Sequence, residues 1–528
     1  MLYFIIYHCK FIYQIDIFER FYIKDVFTGI RDIFVFFVEF IFILRKKMLD
    51  LHQIKKAENK KLETMKIHIK YILFFWIAVA MLAMPGCEKK DPKPDPENDP
   101  EVYKFIQTLY YHVYYWNKEV ESYILKEPPT TGGLETYFES LKYDETKASN
   151  TDKNAGRYDR WGFMSSYLDF SGVLVEGIYK SYGFYMSRMY DSSIRVNLVY
   201  EGSPMDKAGI ERGYELKTLN GVEVKTLSNA AINTEVAKET NRFIFIDREG
   251  NVLPEKSISA TVININPILN KTIYHAGEKT IGYIMYNSFI FASETAITAA
   301  LREMKDVDEL IFDLRYNGGG SVAVAEAICE HLLPQSVGND SIEFAKTVFS
   351  DLTKERLKWK DEIVKIKRRT EAMNLSRLFV ITTNGTASAS EEVINNMKPF
   401  LEVITVGAPT HGKPVGMGVW YYPNYSNEEI NAGKKPDWAF APITFRGDNS
   451  KGEGSFFSGI PVSHKVNDDL YHNFGVDPQT LKGEACLQSA IEYIQTNQFP
   501  MSISVKSVEV EAPVLFPLKG LQIHAGCL

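Results

Sequence analysis

Cysteine is scarce in this chain of 528 residues: Cys9, Cys87, Cys329, Cys486 and Cys527 are all there is, none close to another. That spacing excludes a disulfide framework and a cysteine-ligated zinc site, both of which need clustered thiols. Long apolar runs are also missing. The run Tyr71–Ala83 is shorter than the roughly 20 apolar residues that cross a bilayer, and Ile33–Leu44 is broken by Glu39. A multi-span membrane protein is thereby excluded. An excess of positive charge is absent too. The formal charge is −7, and the acidity is greater once the basic-leaning residues 1–64 are set aside. Nucleic-acid binding needs Lys and Arg at the phosphates, so it is not expected. What is present is the composition of a globular protein, 45% hydrophobic and 24% charged, which rules out a disordered or collagen-like chain. The length suggests about three domains of roughly 150 residues.

From Met65 the chain reads Met-Lys-Ile-His-Ile-Lys, then the apolar run, then Met84-Pro85-Gly86-Cys87. A basic start, a short apolar core and a small residue before the cut form the pattern of a secretory signal peptide. Gly86-Cys87 directly after that core resembles a bacterial lipoprotein signal, although Met84 stands where that family usually has Leu. The resemblance implies that Cys87 is lipidated and becomes the first mature residue, anchored to a membrane of the bacterial cell envelope. An ordinary signal peptide or an anchor helix is the alternative. Residues 1–64 then read as an upstream extension, 65–86 as the signal peptide and 87–100 as a charged, proline-rich linker.

Val102, Phe105, Ile106, Leu109, Val113, Trp116 and Val120 recur at helical spacing and predict a helix over 101–126, ended by Pro128-Pro129. Its Tyr and Trp residues suit helix packing better than a ligand face. A second helix is expected over Leu134–Tyr143, making 101–165 a helical segment. Residues 166–266 read as short strands. Within them, Gly202-Ser203-Pro204 followed by Ala208-Gly209-Ile210, then Leu219-Asn220-Gly221-Val222, closely resemble a PDZ domain of the protease-associated type. Asn220-Gly221 supplies the positive φ angles of a tight hairpin. The resemblance implies that Gly183, Phe184, Tyr185 and Met186 belong to the carboxylate-binding loop that takes a peptide's C-terminal end, with the last three offering it an apolar surface.

From residue 281 strands and helices alternate. Strands are expected at Ile281–Tyr286, Glu309–Leu314, Leu378–Thr382 and Val403–Gly407. Helices are expected at Ser293–Lys305, Val322–Leu333, Ser390–Met397 and Glu484–Ile494. This alternation predicts an α/β core over 267–500 within a multidomain α+β protein. Residues 501–528 show strand propensity but no functional signal.

Two turns after buried strands could carry chemistry. In Asp313-Leu314-Arg315-Tyr316-Asn317-Gly318-Gly319-Gly320 the glycines could make a flexible turn, cradle phosphate or aim N–H groups at an oxyanion; no Lys-Ser/Thr sequel supports a phosphate loop. In Thr386-Ala387-Ser388-Ala389-Ser390-Glu391, Ser388 and Glu391 have capping-box spacing. Ser388 could therefore cap a helix, or serve as a nucleophile where small neighbours admit substrate and the helix N-terminus favours negative charge. Lys413 follows 25 residues later in Gly407-Ala408-Pro409-Thr410-His411-Gly412-Lys413-Pro414.

Together the three segments, in this order and after a PDZ-like region, resemble the tail-specific, or C-terminal processing, serine peptidases. The resemblance covers roughly 100–500 and implies a crotonase/ClpP-like core. It also implies Ser388 as nucleophile and Lys413 as general base, with Ala389 and Gly318 or Gly319 as oxyanion donors. A lysine is a base only when neutral, and bringing it from about 10.4 to about 7 costs roughly 4.6 kcal/mol. A dry pocket can supply that, provided no acid touches Lys413. Glu391 matches the family's Glu and is a possible orienting residue, or only a cap. Met417 and Pro399 stand where some members carry a Gln and an Asp, so a third catalytic residue is not evident. His411 is the alternative base. The reading is a serine endopeptidase acting on proteins or peptides with free C-termini, needing neither cofactor nor metal. The alternatives are a catalytically silent peptide-binding lipoprotein of the same fold, and an esterase or amidase using the same dyad.

Overall fold

The computed structural model describes residues 99–500, apart from 125–126, 128–132 and 190, together with the strand Val510–Val514. Cys87, the signal segment and residues 1–64 lie outside them. Among the described residues no helix is long and apolar enough to cross a membrane.

The expected helix over 101–126 is broken. A helix runs from Pro100 to His112, capped by Asp99, and a short one covers Glu121–Ile124. The break follows from packing. Tyr114 turns its hydroxyl to Asp159 at 2.9 Å, and Tyr115 N–H donates to the Ile443 carbonyl at 2.8 Å. The aromatic stripe is core: Tyr103, Tyr110 and Tyr114 are buried with Phe138, Trp161, Phe440 and Ile443. Residues 99–166 are therefore built onto the second half of the chain, and the strand Phe163–Ser166 pairs with Trp438–Ala441.

A β-rich region follows. Phe184–Met189, Ile194–Val199, Glu215–Leu219, Thr240–Ile246 and Lys256–Ser259 form an antiparallel sheet in that order. Asn220 and Gly221 turn the chain at φ +53° and +84° between the paired residues Leu219 and Val222, as their dipeptide predicts. Alternate apolar residues of the strands meet in one core with Met205, Ile210, Ile232 and Val236. Val510–Val514, from a segment with strand propensity but no functional signal in the sequence, adds to the outer edge of this sheet beside Phe184–Met189.

The largest parallel unit comes next. Its strand order is Ile268–Ala276, Lys279–Tyr286, Glu309–Asp313, Arg377–Thr382, Glu402–Gly407 and His464–Lys465. The strands from Lys279–Tyr286 onward pair in parallel. Every residue of Glu309–Asp313 is buried, as expected for a strand covered on both faces. Helices Glu294–Glu303, Val322–Leu332 and Ala389–Met397 cover one face around Ile297, Leu301, Ile328, Val393 and Ile394. Helix Ala485–Thr496 covers the other with Leu487, Ala490 and Ile491. The four inner strands and the four helices were legible in the sequence, with ends shifted by a residue or two; the edge strands Ile268–Ala276 and His464–Lys465 were not.

Candidate active site

The central strands of the parallel sheet end at one edge in register, with Asp313 beside Ile381 and Thr382 beside Gly407. The loops that leave them are the glycine-rich turn, the Ser388 turn and the Lys413 segment. Crossover connections of a parallel sheet place such loops side by side outside its C-terminal edge.

Ser388 sits at the N-cap of helix Ala389–Met397 with φ +55° and ψ −120°. A positive φ is strained for a residue with a Cβ and persists only where surrounding contacts hold it. Those contacts are specific. Ala387 N–H and the Ser390 hydroxyl both donate to the Asn317 carbonyl at 3.0 Å. The Thr386 hydroxyl donates to the Leu314 carbonyl at 2.8 Å, and His411 N–H to the Thr386 carbonyl at 2.9 Å. The three loops are thus tied backbone to backbone.

Glu391 is the junction. Its Oε2 accepts Ser388 N–H at 2.9 Å and Lys413 N–H at 2.8 Å. Its Oε1 accepts Gly412 N–H at 2.7 Å and the Thr410 hydroxyl at 2.5 Å. These four donors match the roughly four acceptor positions of a carboxylate. Burial pushes the Glu391 carboxyl up, while the Thr410 hydroxyl and the three backbone donors pull it part of the way back. Lys413 itself is only 1% exposed. The expected acid-free surroundings of Lys413 need correcting: Glu391 does touch it, through the lysine's backbone, where an acid can hold the loop with its lone pairs already used. Glu392 lies near enough for the Lys413 charge to act on it; burial, with Glu326 beside it, still lifts its carboxyl to about 7.

The oxyanion candidates separate. Gly319 N–H is spent on Asn317 Oδ1 at 2.9 Å, while Asn317 Nδ2 donates to the Tyr286 carbonyl at 2.8 Å. Gly319 is therefore not a ready donor, contrary to expectation, and Gly318 is the better candidate. Gly319 serves by lacking a side chain. At its φ of +101° a Cβ would stand 2.7 Å from Ser388 Cβ and 3.0 Å from Ala389 N. Ala389 is the first residue of its helix, so its N–H has no intrahelical acceptor. His411 is engaged elsewhere: its Nε2 accepts the Trp161 indole N–H at 3.0 Å.

Beneath the glycine-rich turn lies a buried ionic network. Arg315, fully buried, donates to both oxygens of Asp313, both oxygens of Glu484 and Asp468 Oδ1, at 2.6–3.1 Å. Arg212, from the β-rich region, reaches Asp468 Oδ1 at 2.8 Å and the Tyr316 hydroxyl at 2.8 Å. Burial alone would push the Asp468 carboxyl up, but Arg212 and Arg315 hold it below the usual range. Arg315 and Asn317 lie inside a motif the sequence singled out, yet their positioning work depends on partners far along the chain.

The proposed peptide loop differs from its expectation. Gly183 adopts φ +80°, and a Cβ there would come within 2.2 Å of Ser203 Cβ, so the turn requires glycine. Phe184 and Met186, expected to offer apolar surface to a ligand, are packed in the sheet's own core with Val196, Leu216 and Phe243. Tyr185 packs against Tyr200. The strand therefore presents backbone rather than these two side chains. Among the described residues no cluster of His, Cys, Asp and Glu could hold a metal ion.

Comparison with known proteins agrees with this layout. Residues 280–432 match the model of Peptidase family S41. The carboxyl-terminal-processing protease of Synechocystis is 26% identical over 217 residues, 40% of this chain and 47% of that protein. The carboxy-terminal processing protease CtpB of Bacillus subtilis is 26% identical over 239 residues, 43% of this chain and 45% of that protein. The chain thus spans about half the length of these curated relatives. A solved structure described as an S41 protease from Bacteroides fragilis superposes with a TM-score of 0.55 at 22% identity, covering 75% of this chain and 97% of that one. That likeness establishes the fold.

Proposed function

We propose that this chain, which carries a Peptidase family S41 domain at residues 280–432, is a serine endopeptidase that works through an acyl-enzyme. Ser388 Oγ attacks the scissile carbonyl carbon while Lys413 Nζ takes the hydroxyl proton and passes it to the leaving amine. The N–H groups of Gly318 and Ala389 stabilise the oxyanion. Lys413 then takes a proton from water, whose oxygen attacks the ester carbonyl carbon; as the C–O bond to Ser388 breaks, Lys413 returns that proton to Ser388 Oγ and the new C-terminus is released. The observation that carries this reading is Glu391. One buried carboxylate binds the backbone N–H of both Ser388 and Lys413, so the nucleophile's loop and the base's loop are held as one body. A structural helix cap needs the first bond and not the second.

In this reading the β-rich region, as a PDZ domain, adds the tail of a protein substrate to the strand Phe184–Met189. Cys87, by its lipoprotein-like context, ties the enzyme to a membrane of the bacterial cell envelope. The two curated relatives carry names of carboxyl-terminal processing proteases, in keeping with this substrate class.

A fluorophosphonate probe should label Ser388 in the parent chain, and peptide hydrolysis should vanish in Ser388→Ala and in Lys413→Ala. The double variant should be little worse than either, because groups acting as one unit are not additive. Absence of both labelling and hydrolysis in the folded parent would leave the silent binding protein. Turnover that survives Lys413→Ala but not His411→Ala would move the base to His411.

A further inference from the structure

The strand Phe184–Met189 pairs with Ile194–Val199 on one side. Met189 N–H donates inward to the Ser193 carbonyl at 2.8 Å. Backbone groups alternate along an antiparallel strand, so Ser187 also faces inward, whereas Met186 and Arg188 turn their N–H and C=O groups to the outer edge. The edge is held in place from behind. Arg188 Nε donates to Asn229 Oδ1 and its Nη2 to the Leu227 carbonyl, each at 2.7 Å.

Val510–Val514 lies on that edge, antiparallel, with Ala512 opposite Arg188, Pro513 opposite Ser187 and Val514 opposite Met186. A proline has no N–H and is tolerated in an edge strand only where an N–H would point away from the partner. Pro513 stands opposite the residue whose backbone groups face away. Its neighbours Ala512 and Val514 keep their N–H groups opposite the two residues that need partners. The strand's direction also matters. It runs from Met189 toward Met186, so its C-terminal end points to the Gly183 turn, the direction in which a protein tail would arrive to be read there.

We infer that Val510–Val514 is a tethered occupant of the peptide-binding edge, so that the chain shields its own recognition strand until an outside tail displaces the segment. This rests on the proposed peptide-binding role of the Phe184–Met189 strand. A tethered ligand acts at an effective concentration on the order of millimolar; if the free segment bound with a Kd of about 100 μM, an outside peptide would be weakened about tenfold.

The test uses the full chain, the double variant Ala512→Pro/Val514→Pro, and Pro513→Val as the control that keeps every edge-facing N–H. Hydrogen exchange over 184–189 should be fast in the double variant and slow in the parent and the control, with exchange elsewhere unchanged as the folding check. A fluorescein-labelled synthetic copy of residues 506–518 should bind the double variant about tenfold tighter than the parent by anisotropy, and should restore protection at 184–189. Equal exchange over 184–189 in parent and double variant would overturn the inference. If the double variant exchanges fast and takes the copied segment, yet unrelated peptides with free C-termini bind neither form, the tethered strand stands and the tail-reading role proposed above falls.

Discussion

Replacing Glu391 by Gln tests the junction directly. The carboxylate accepts from Ser388 N–H, Lys413 N–H, Gly412 N–H and the Thr410 hydroxyl. Glutamine keeps one oxygen and can serve one pair of these donors; its NH₂ group would face the other pair, donor against donor. Two hydrogen bonds to a charged group are lost, at about 1.5–3 kcal/mol each. Against this stands the relief of burying a charge, which is real here because burial outweighs the hydrogen bonds and leaves the carboxyl above its usual range. The net loss of stability should be about 2–4 kcal/mol, read as a lower urea midpoint at unchanged slope. The variant should also turn over peptide at least tenfold more slowly, with KM nearly unchanged, because in the proposed mechanism substrate meets Ser388 and not Glu391. The rate of fluorophosphonate labelling should fall in step with kcat. A variant with the parent's urea midpoint and parent kcat would refute the argument that this carboxylate holds the two loops together. A variant that loses stability but keeps kcat would reduce Glu391 to a helix cap.

Gly319→Ala should fold poorly or lose turnover, since its Cβ meets Ser388 Cβ and Ala389 N at φ +101°; activity and thermal midpoint measured together would show it, and parent values of both would contradict the packing. Arg212→Met should cost about 3–5 kcal/mol in chemical denaturation, because it strips one of two cations from the buried Asp468. Glu392→Gln should stabilise at alkaline pH. Its folded carboxyl titrates at about 7 against 4.5 unfolded, so the folded state holds the extra proton between those values and stability falls as pH rises through them. Allowing for its partial contact with solvent, the gain is about 1–3 kcal/mol at pH 8 and small below pH 4.5; equal denaturation midpoints for the two proteins at pH 8 would contradict it.

Much of this protein was determined by short stretches of its sequence. The hairpin at Asn220-Gly221, the alternating strands and helices from 281 onward, and the segments around Gly318, Ser388 and Lys413 all rest on signals carried by a few adjacent residues: turn chemistry, apolar periodicity, a cap. Such signals act locally and survive without knowledge of the rest of the chain. The tertiary structure alone decided what depends on partners far away. It broke the helix over 101–126, because Tyr114 and Tyr115 gain more from Asp159 and Ile443 than from another helical turn. It spent Phe184 and Met186 in the core, since the pleat sets which side chains face inward. It took the Gly319 N–H for Asn317 and gave Glu391 its donors from Gly412 and Lys413, neighbours only because parallel strands in register end at one edge. It joined Arg212 to Asp468 across the chain, and it laid Val510–Val514 against Met186 and Arg188. A strand's own residues give its propensity, but its partner is chosen by which distant edge still has backbone groups to satisfy.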